Sequence, residues 1–580
     1  MKTFFKLLLF FLLLIQIQCY PFAEQVSGEL LNFNWIMSRN DFYYNSKIDS
    51  TTTPYSILLE TARDKKGVLS LTTPIDQKGN TQSEISIKIN YKTQDCSELY
   101  LKLIGIGECE KIISIDTLGL SLNEEWTSVE QSVHLKETLF LKLSIEASGD
   151  KLHNAKIWVN TLDILIDGKG ISKLKTTKNG IDVSLKKEVI TSYSDKELNN
   201  LPFSDKKILA IGESIHGTET FNDIAIEIIK YRIIHQNCKF VLMEIPLEFS
   251  FYINRYINGD SNFKLNNISD YFDRSLYSDS FLSLIEWMKE YNLHSEKKVF
   301  FWGIDINSIQ LQSKLELFNF FYTINVTKNN QELKRLCKLL VTTKPSLEEV
   351  IDIFETNEGF RNVLTRDETK LIRNCLVLLN HKSDTYANFL NRDKTMYENT
   401  EFIINNLLGR DETVTMFCHF GHAAYQGLIE RIDDKEWSTL GYYLKNKYNH
   451  DYTCIALLTE EGSFLSSTSN SLLKVEHLQS SPQGSLEYLM NMLNANISFL
   501  STEKMNCVDI FKTRYIGNRD VEDQFSFMIP KARMDGVLFI KQVYPIKKKD
   551  NILKSDLNIN VTIMNSYKEA LEKISNNQSY

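Results

Sequence analysis

The chain has 580 residues, of which 43% are hydrophobic, and its 66 basic side chains against 74 acidic ones leave a formal charge of -8. That length allows two to four domains at roughly 150 residues each, and the hydrophobic content is that of a globular protein. With no basic field on offer, the charge balance argues against nucleic acid as a partner.

Met1-Lys2-Thr3 and Lys6 precede the apolar run Leu7 to Ile15, which gives way to Gln16, Gln18 and Cys19. Charge, length and flanks predict a secretory signal peptide over residues 1–19, too short to span a membrane. The expected location is therefore periplasmic or extracellular. Lipid anchoring at Cys19 is the weaker alternative, because the bulky Gln18 precedes it. No later run approaches the ~20 apolar residues of a membrane helix. Nine cysteines are scattered without CxxC spacing, against zinc knuckles and against a disulfide-dense framework. Cys96 and Cys109 are placed either to pair or to remain buried free thiols.

Residues 20–172 read as a β-sandwich. Ser83 to Tyr91 alternates polar and apolar with period two, and similar alternation recurs at Leu99–Leu103, Leu139–Leu143 and Lys156–Val159, between turns rich in Gly, Asn, Asp and Thr. Beyond Gly168-Lys169-Gly170 the pattern changes. Residues 185–547 read as an α/β domain with a parallel or mixed sheet, its strands at Ile208–Ile211, Phe240–Met243, Val299–Trp302, Val414–Phe417, Tyr452–Leu457 and Gly536–Ile540. Strand signals vanish over residues 309–408, where helical spacing predicts an insertion able to cover a cleft. Residues 548–580 form a Lys- and Asn-rich tail with one helix predicted at Tyr567–Ile574.

Three polar clusters close strands of the second domain: Gly212-Glu213-Ser214-Ile215-His216-Gly217, then Glu244, then His419-Phe420-Gly421-His422. Open parallel sheets form their ligand crevice at those carboxyl ends. His216 can take a proton from water if a carboxylate such as Glu213 fixes its tautomer; the plainer reading has Glu213 capping the next helix while His216 packs. Glu244 ends an apolar strand, where an ionised carboxylate must be paired or solvated. Pro246 stops that strand, and an ion pair holding a loop is the alternative. The spacing of His419 and His422 puts both on one face if a helix begins there. They could donate to substrate, form a structural pair, or bind a divalent metal with a third ligand from His216, Glu213 or Glu244. The missing G-x-S-x-G elbow argues against a serine nucleophile, and with neither a Walker A loop nor a G-x-G-x-x-G fingerprint no other cofactor is indicated. Asp305, at the end of Gly303-Ile304-Asp305, is expected to support a histidine or a base.

Taken with Arg392-Asp393, Met396 and Asn399, these clusters resemble the erythromycin esterase family in order and approximate spacing. Leu440-Gly441, Glu461-Gly462-Ser463-Phe464 and Met534-Asp535-Gly536-Val537 extend the resemblance, which covers about residues 200–545. It implies an ester or lactone hydrolase whose characterised relatives open macrolide rings and confer antibiotic resistance. It further implies that His216 is the general base, helped by Glu213 and Glu244, with His419 and His422 positioning substrate or stabilising the oxyanion. Thr220 and Ala225 stand where the family usually has a glutamate and a basic residue, with Glu219 a shifted substitute for the acid, and Phe420 replaces a common asparagine.

The N-terminal region resembles a jelly-roll domain of the carbohydrate-binding kind, with Trp126 and Trp158 as stacking candidates beside their commoner role in sandwich cores. Two other functions remain open on the same residues: a metal-dependent hydrolase or peptidase, and a non-catalytic glycan- or ligand-binding surface protein.

Overall fold

A computed structural model of the chain describes residues 44–170 and 205–576, apart from 64, 75–81, 151, 275–276, 278, 307–309, 343–346, 358–360, 382–388, 428–437, 468–472, 518–523 and 549–558. The signal segment 1–19 and Cys19 lie outside the described residues.

The first layer pair is a β-sandwich. Strands β1 (Tyr44–Asp49), β2 (Ser56–Thr61), β3 (Lys66–Pro74), β4 (Gln82–Gln94), β5 (Cys96–Ile106), β6 (Ile112–Gly119), β7 (Thr127–Lys136), β8 (Phe140–Gly149), β9 (Lys156–Ile166) and the short β10 (Lys169–Gly170) form two antiparallel sheets. Their orders are β1-β2-β9-β4-β7 and β3-β8-β5-β6. Because successive strand residues face opposite ways, Ile85, Ile87, Ile89 and Tyr91 of β4 all point inward, where they meet Leu101 and Leu103 of β5 and Leu143 and Ile145 of β8. Both sheets thus share one apolar core, as the alternation predicted.

The second domain is built on a mixed sheet of order β13-β12-β14-β11-β15-β20-β17. Its parallel strands are β11 (Ile208–Glu213), β12 (Cys238–Pro246), β13 (Phe300–Asp305), β14 (Thr413–His419), β15 (Tyr452–Ser467) and β20 (Gly536–Val543). Every residue of β11 is buried, which is why its apolar run is continuous rather than alternating. The antiparallel β16 (Leu473–His477) and β17 (Ile497–Ser501) border β15 and β20. A separate hairpin joins β18 (Phe511–Arg514) to β19 (Phe525–Met528). Helix α1 (Glu219–His235) packs on the sheet through the fully buried Arg232, whose guanidinium donates to Thr415 Oγ1 and to the Lys206 carbonyl. Helix α2 (Leu247–Ile257) follows β12.

Between β13 and β14 the chain is helical, at Gln310–Lys328, Gln331–Val341, Leu347–Thr356, Arg366–His381 and α3 (Phe389–Leu407), matching the expected insertion. The closing helix is longer than predicted, Ile559–Asn576. Among the described residues no helix is long and apolar enough to cross a membrane.

One expectation is overturned. Cys96 is a free thiol, and Cys109 pairs instead with Cys507, 398 residues away. The bond lies where the sandwich meets the second domain, beside an apolar cluster of Ile104, Ile106, Leu139 and Phe140 with Ile510, Ile529 and Ala532.

Candidate active site

The strand order β13-β12-β14-β11 delivers Asp305, Glu244, His419 and Glu213 side by side at the carboxyl ends of neighbouring strands. Glu213 is level with His419, and Pro246 with Asp305. After Glu213 the chain turns through His216 to Gly217, whose φ of 81° is open to glycine at no steric cost. Leu465 donates its N–H to the Gly217 carbonyl at 2.9 Å, and a Cβ on Gly217 would collide with the Leu465 carbonyl.

Within this turn His216 Nδ1 lies 2.7 Å from Glu213 Oε1. A carboxylate oxygen accepts, so Nδ1 carries the proton and Nε2 presents its lone pair. The Glu213 carboxyl is therefore a partner of His216 rather than a helix cap. Burial alone would depress the imidazole, yet Glu213, with Glu244 behind it, lifts His216 above its ordinary value; burial raises Glu213 itself. The His216 side chain keeps 15% exposure, so it meets solvent while its partner does not.

His419 is fixed differently. Its Nε2 donates to the Ile516 carbonyl at 2.8 Å, and its Nδ1 accepts the Gly421 N–H at 3.1 Å. These partners define a neutral tautomer, and burial with the adjacent His216 pushes its pKa down to about 3. The imidazoles of His216 and His419 stand 4.8 Å apart, and those of His419 and His422 6.4 Å apart. A helix does begin here, but it is the short α4 (Phe420–Ala423) with His419 as its N-cap, so the two histidines diverge. The buried Phe420 packs against Gly212. At Gly421 a Cβ would overlap the Tyr515 hydroxyl, so a larger residue there would displace that ring.

Glu244 serves two elements. Oε2 accepts the backbone N–H of His419 at 2.8 Å, while Oε1 accepts from Arg392 Nη2 at 2.7 Å and lies 3.3 Å from His422 Nε2. Although burial opposes it, His422 and Arg392 hold this carboxyl well below the usual range. Arg392, on α3, also forks onto Asp305, with Nε to Oδ1 at 3.0 Å and Nη2 to Oδ2 at 2.6 Å. Its Nη1 is 3.0 Å from His422 Nε2. His422 Nδ1 donates to Asp393 Oδ1 at 2.9 Å, and Asp393 and Glu244 outweigh burial to push His422 up to about 10. The charged His422 donates from Nε2 to Glu244; once deprotonated, that nitrogen accepts from Arg392.

The five predicted residues Glu213, His216, Glu244, His419 and His422 thus converge, with Asp305 as the anchor of an arginine. The candidate set lacked Arg392 and Asp393, although both stood in the motif Arg392-Asp393. Asn399 fixes their helix by donating to the Ile304 carbonyl at 2.9 Å, and the Leu440 N–H donates to Asp393 at 2.8 Å. Glu219, the shifted acid, accepts the Ser280 hydroxyl at 2.7 Å. Ala225 is wholly buried on α1, so Arg392 is the guanidinium of this cluster.

Metal binding fits poorly. His216 Nδ1, both nitrogens of His419 and both of His422 have protein partners, leaving His216 Nε2 as the free imidazole donor. Among the described residues no group of three or more His, Cys, Asp or Glu is arranged to hold a metal ion. In the sandwich, the Lys92 ammonium lies 5.3 Å from the Trp126 ring centre and 4.8 Å from that of Trp158, whose Nε1–H donates to Asp49 at 2.7 Å. A lysine therefore already occupies indole faces on which a sugar would stack.

The sequence matches the family described as erythromycin esterase over residues 233–543, more than half of the chain. Among solved structures, similarity extends to a Bacillus cereus protein at 17% identity, covering 62% of this chain and 95% of that one with a TM-score of 0.48. A succinoglycan biosynthesis protein is 17% identical, with coverage of 62% and 94% and a TM-score of 0.46. A mutant of the erythromycin esterase EreC in its open conformation is 13% identical, with coverage of 61% and 95% and a TM-score of 0.43. No curated protein matches the chain.

Proposed function

The chain belongs to the erythromycin esterase family, and from that premise we propose that it hydrolyses carboxylic esters or lactones with water activated at His216. Membership supports a hydrolase of ester bonds; the mechanism and substrate class are our reading. The observation that carries it is the Glu213–His216 pair, with Nδ1–H tied at 2.7 Å and Nε2 left free. Such a pair is a general base, contributing roughly 10²- to 10⁴-fold.

In this mechanism Nε2 takes a proton from water as the oxygen adds to the ester carbonyl. The tetrahedral oxyanion is stabilised by the Arg392 guanidinium, whose Nε and Nη2 hydrogens are taken by Asp305 and Glu244 while Nη1, beside the charged His422, keeps its N–H groups for the oxyanion. Collapse breaks the bond to the leaving oxygen, which takes the proton back from the His216 imidazolium. His419, neutral and fully bonded, walls the base rather than titrating. Macrolide lactones are one candidate substrate class, with antibiotic resistance as the associated role. A metal-dependent peptidase reading has less support, because the imidazole nitrogens of the cluster other than His216 Nε2 are engaged.

Export is proposed on two supports: the charged and then apolar start of the chain, and the Cys109–Cys507 disulfide, a bond that persists in oxidising compartments. Carbohydrate binding by the sandwich requires Lys92 to leave the indole faces.

The test is turnover of aryl esters, simple lactones and macrolides by purified residues 20–580 in ¹⁸O-labelled water. The expected product is an acid carrying one label from solvent. Well-folded protein that turns over none of the three classes would overturn the proposal in favour of a binding protein.

A further inference from the structure

Cys109 and Glu110 lie in the three-residue turn Glu108–Glu110 between β5 and β6, and both have left-handed backbone angles, with φ of 51° and 58°. Two successive non-glycine residues in that region are costly, and persist where the surroundings over-determine them. Here the surroundings are the β18–β19 hairpin of the other domain.

Two residues of the turn, Cys109 and Glu110, each hold one of the segments flanking that hairpin. Ahead of β18, Cys109 is bonded to Cys507 and donates its N–H to the Cys507 carbonyl at 2.9 Å. Just past β19, Glu110 Oε1 accepts the Ile529 N–H at 2.6 Å and Oε2 accepts Arg533 Nε at 2.7 Å. The Glu110 and Arg533 side chains are 0% and 1% exposed, so this pair is not screened by water.

The far end of the hairpin is the wall of the active site. The Ile516 carbonyl accepts from His419 Nε2 at 2.8 Å, and the Ile516 N–H donates to the Ser214 carbonyl at 2.9 Å. The His216 N–H reaches the Gly517 carbonyl at 3.4 Å, and the Tyr515 ring stands edge-on to His419 with centres 5.0 Å apart. Strand pairing from Phe511–Met528 to Arg514–Phe525 connects the two ends.

We infer that the Cys109–Glu110 turn of the β-sandwich positions the base His216 and the His419 that walls it, by clamping the base of the hairpin whose far end holds His419 and the His216 turn. The sandwich is then part of the catalytic apparatus, and the site answers to redox conditions. An external dithiol supplies two electrons and two protons, the Cys109–Cys507 bond opens to two thiols, and the dithiol closes to its own disulfide. The positioning role rests on the reading of His216 and His419 as site residues.

The experiment is an NMR titration of the full chain labelled with ¹³C-histidine, run oxidised, reduced with dithiol, and as Glu110→Gln, beside ester turnover. His419 faces His216 on the turn after β11, His422 on α4 and the Tyr515 ring on the hairpin, with the Glu244 carboxylate of β12 at its backbone N–H. In the oxidised protein it should stay silent over roughly pH 5–8, where an ordinary histidine titrates. Releasing the clamp should let water reach it, so that it titrates in that range, while kcat falls on the order of ten- to a hundredfold with little change in KM. A silent His419 after thiol counting shows the bond open, with Glu110→Gln equally silent, overturns the inference. Should reduction unfold the sandwich by circular dichroism, the isosteric Glu110→Gln carries the same comparison. A histidine response in protein that turns over no substrate keeps the clamp and discards the hydrolase reading. An active enzyme whose His419 does not move does the reverse.

Discussion

Glu244 joins two functional groups that belong to different strands and helices: one oxygen takes the backbone N–H of His419 at 2.8 Å and the other takes Arg392 Nη2 at 2.7 Å. It therefore fixes where β14 ends and where the guanidinium lies with a single carboxylate. The site is coupled through this residue, so substitutions around it should act on charge and on position together.

Glu213→Gln should move the acid limb of the pH–rate profile. His216 must be neutral to accept a proton, and Glu213 raises its pKa above the ordinary value, so wild-type turnover rises with pH through that raised value. Removing the carboxylate lowers the histidine, shifts the limb to more acid pH and weakens the base, dropping the plateau by roughly tenfold or more. A limb unchanged in a kcat/KM profile would show that another group controls it.

Arg392→Met leaves Glu244 and Asp305 without their shared cation. Breaking such a pair at a buried site should cost about 3 kcal/mol in urea unfolding at pH 7. Since the folded Glu244 is held below its unfolded value, this stabilisation is present above roughly pH 4.3 and is lost as acid protonates the folded carboxylate. The gap between variant and wild type should consequently narrow toward pH 3. Arg392→Lys should restore charge but not the fork onto Asp305, recovering stability more than turnover.

The parts of this site that end strands were legible in the sequence. Continuous apolar runs announce buried parallel strands, and Glu213, Glu244, Asp305 and His419 stand where each run stops. Arg392 was not, because helical spacing does not distinguish an arginine turned into a cleft from one facing solvent; it surfaced through the motif resemblance alone. The Cys109–Cys507 pairing was also hidden. With 398 residues between them no spacing rule applies, and Phe511-Lys512-Thr513-Arg514 is too short and mixed to signal the strand that brings Cys507 into place.

Gly421→Ala should damage the site without touching an ionisable group. The added methyl overlaps the Tyr515 hydroxyl and crowds His419 Nδ1, so the Tyr515 ring that stands edge-on to His419 must shift. We expect turnover to fall on the order of a hundredfold, as displacements of about an ångström can do, with circular dichroism unchanged. Wild-type turnover in this variant would show that Tyr515 can yield freely.

Chelation should leave turnover unaltered. Glu213, Asp393, Glu244, Ile516 and the Gly421 N–H engage the imidazole nitrogens other than His216 Nε2, so a three-ligand set would have to break existing bonds. Loss of activity on dialysis against a chelator, restored by stoichiometric metal, would favour the metal-dependent reading.

The most direct measurement is hydrolysis of the best ester or lactone by His216→Ala beside wild type, with melting temperature recorded for both. Activation of water at His216 predicts a loss of roughly 10²- to 10⁴-fold with the fold intact. Equal rates in the two proteins would contradict it and place the base elsewhere.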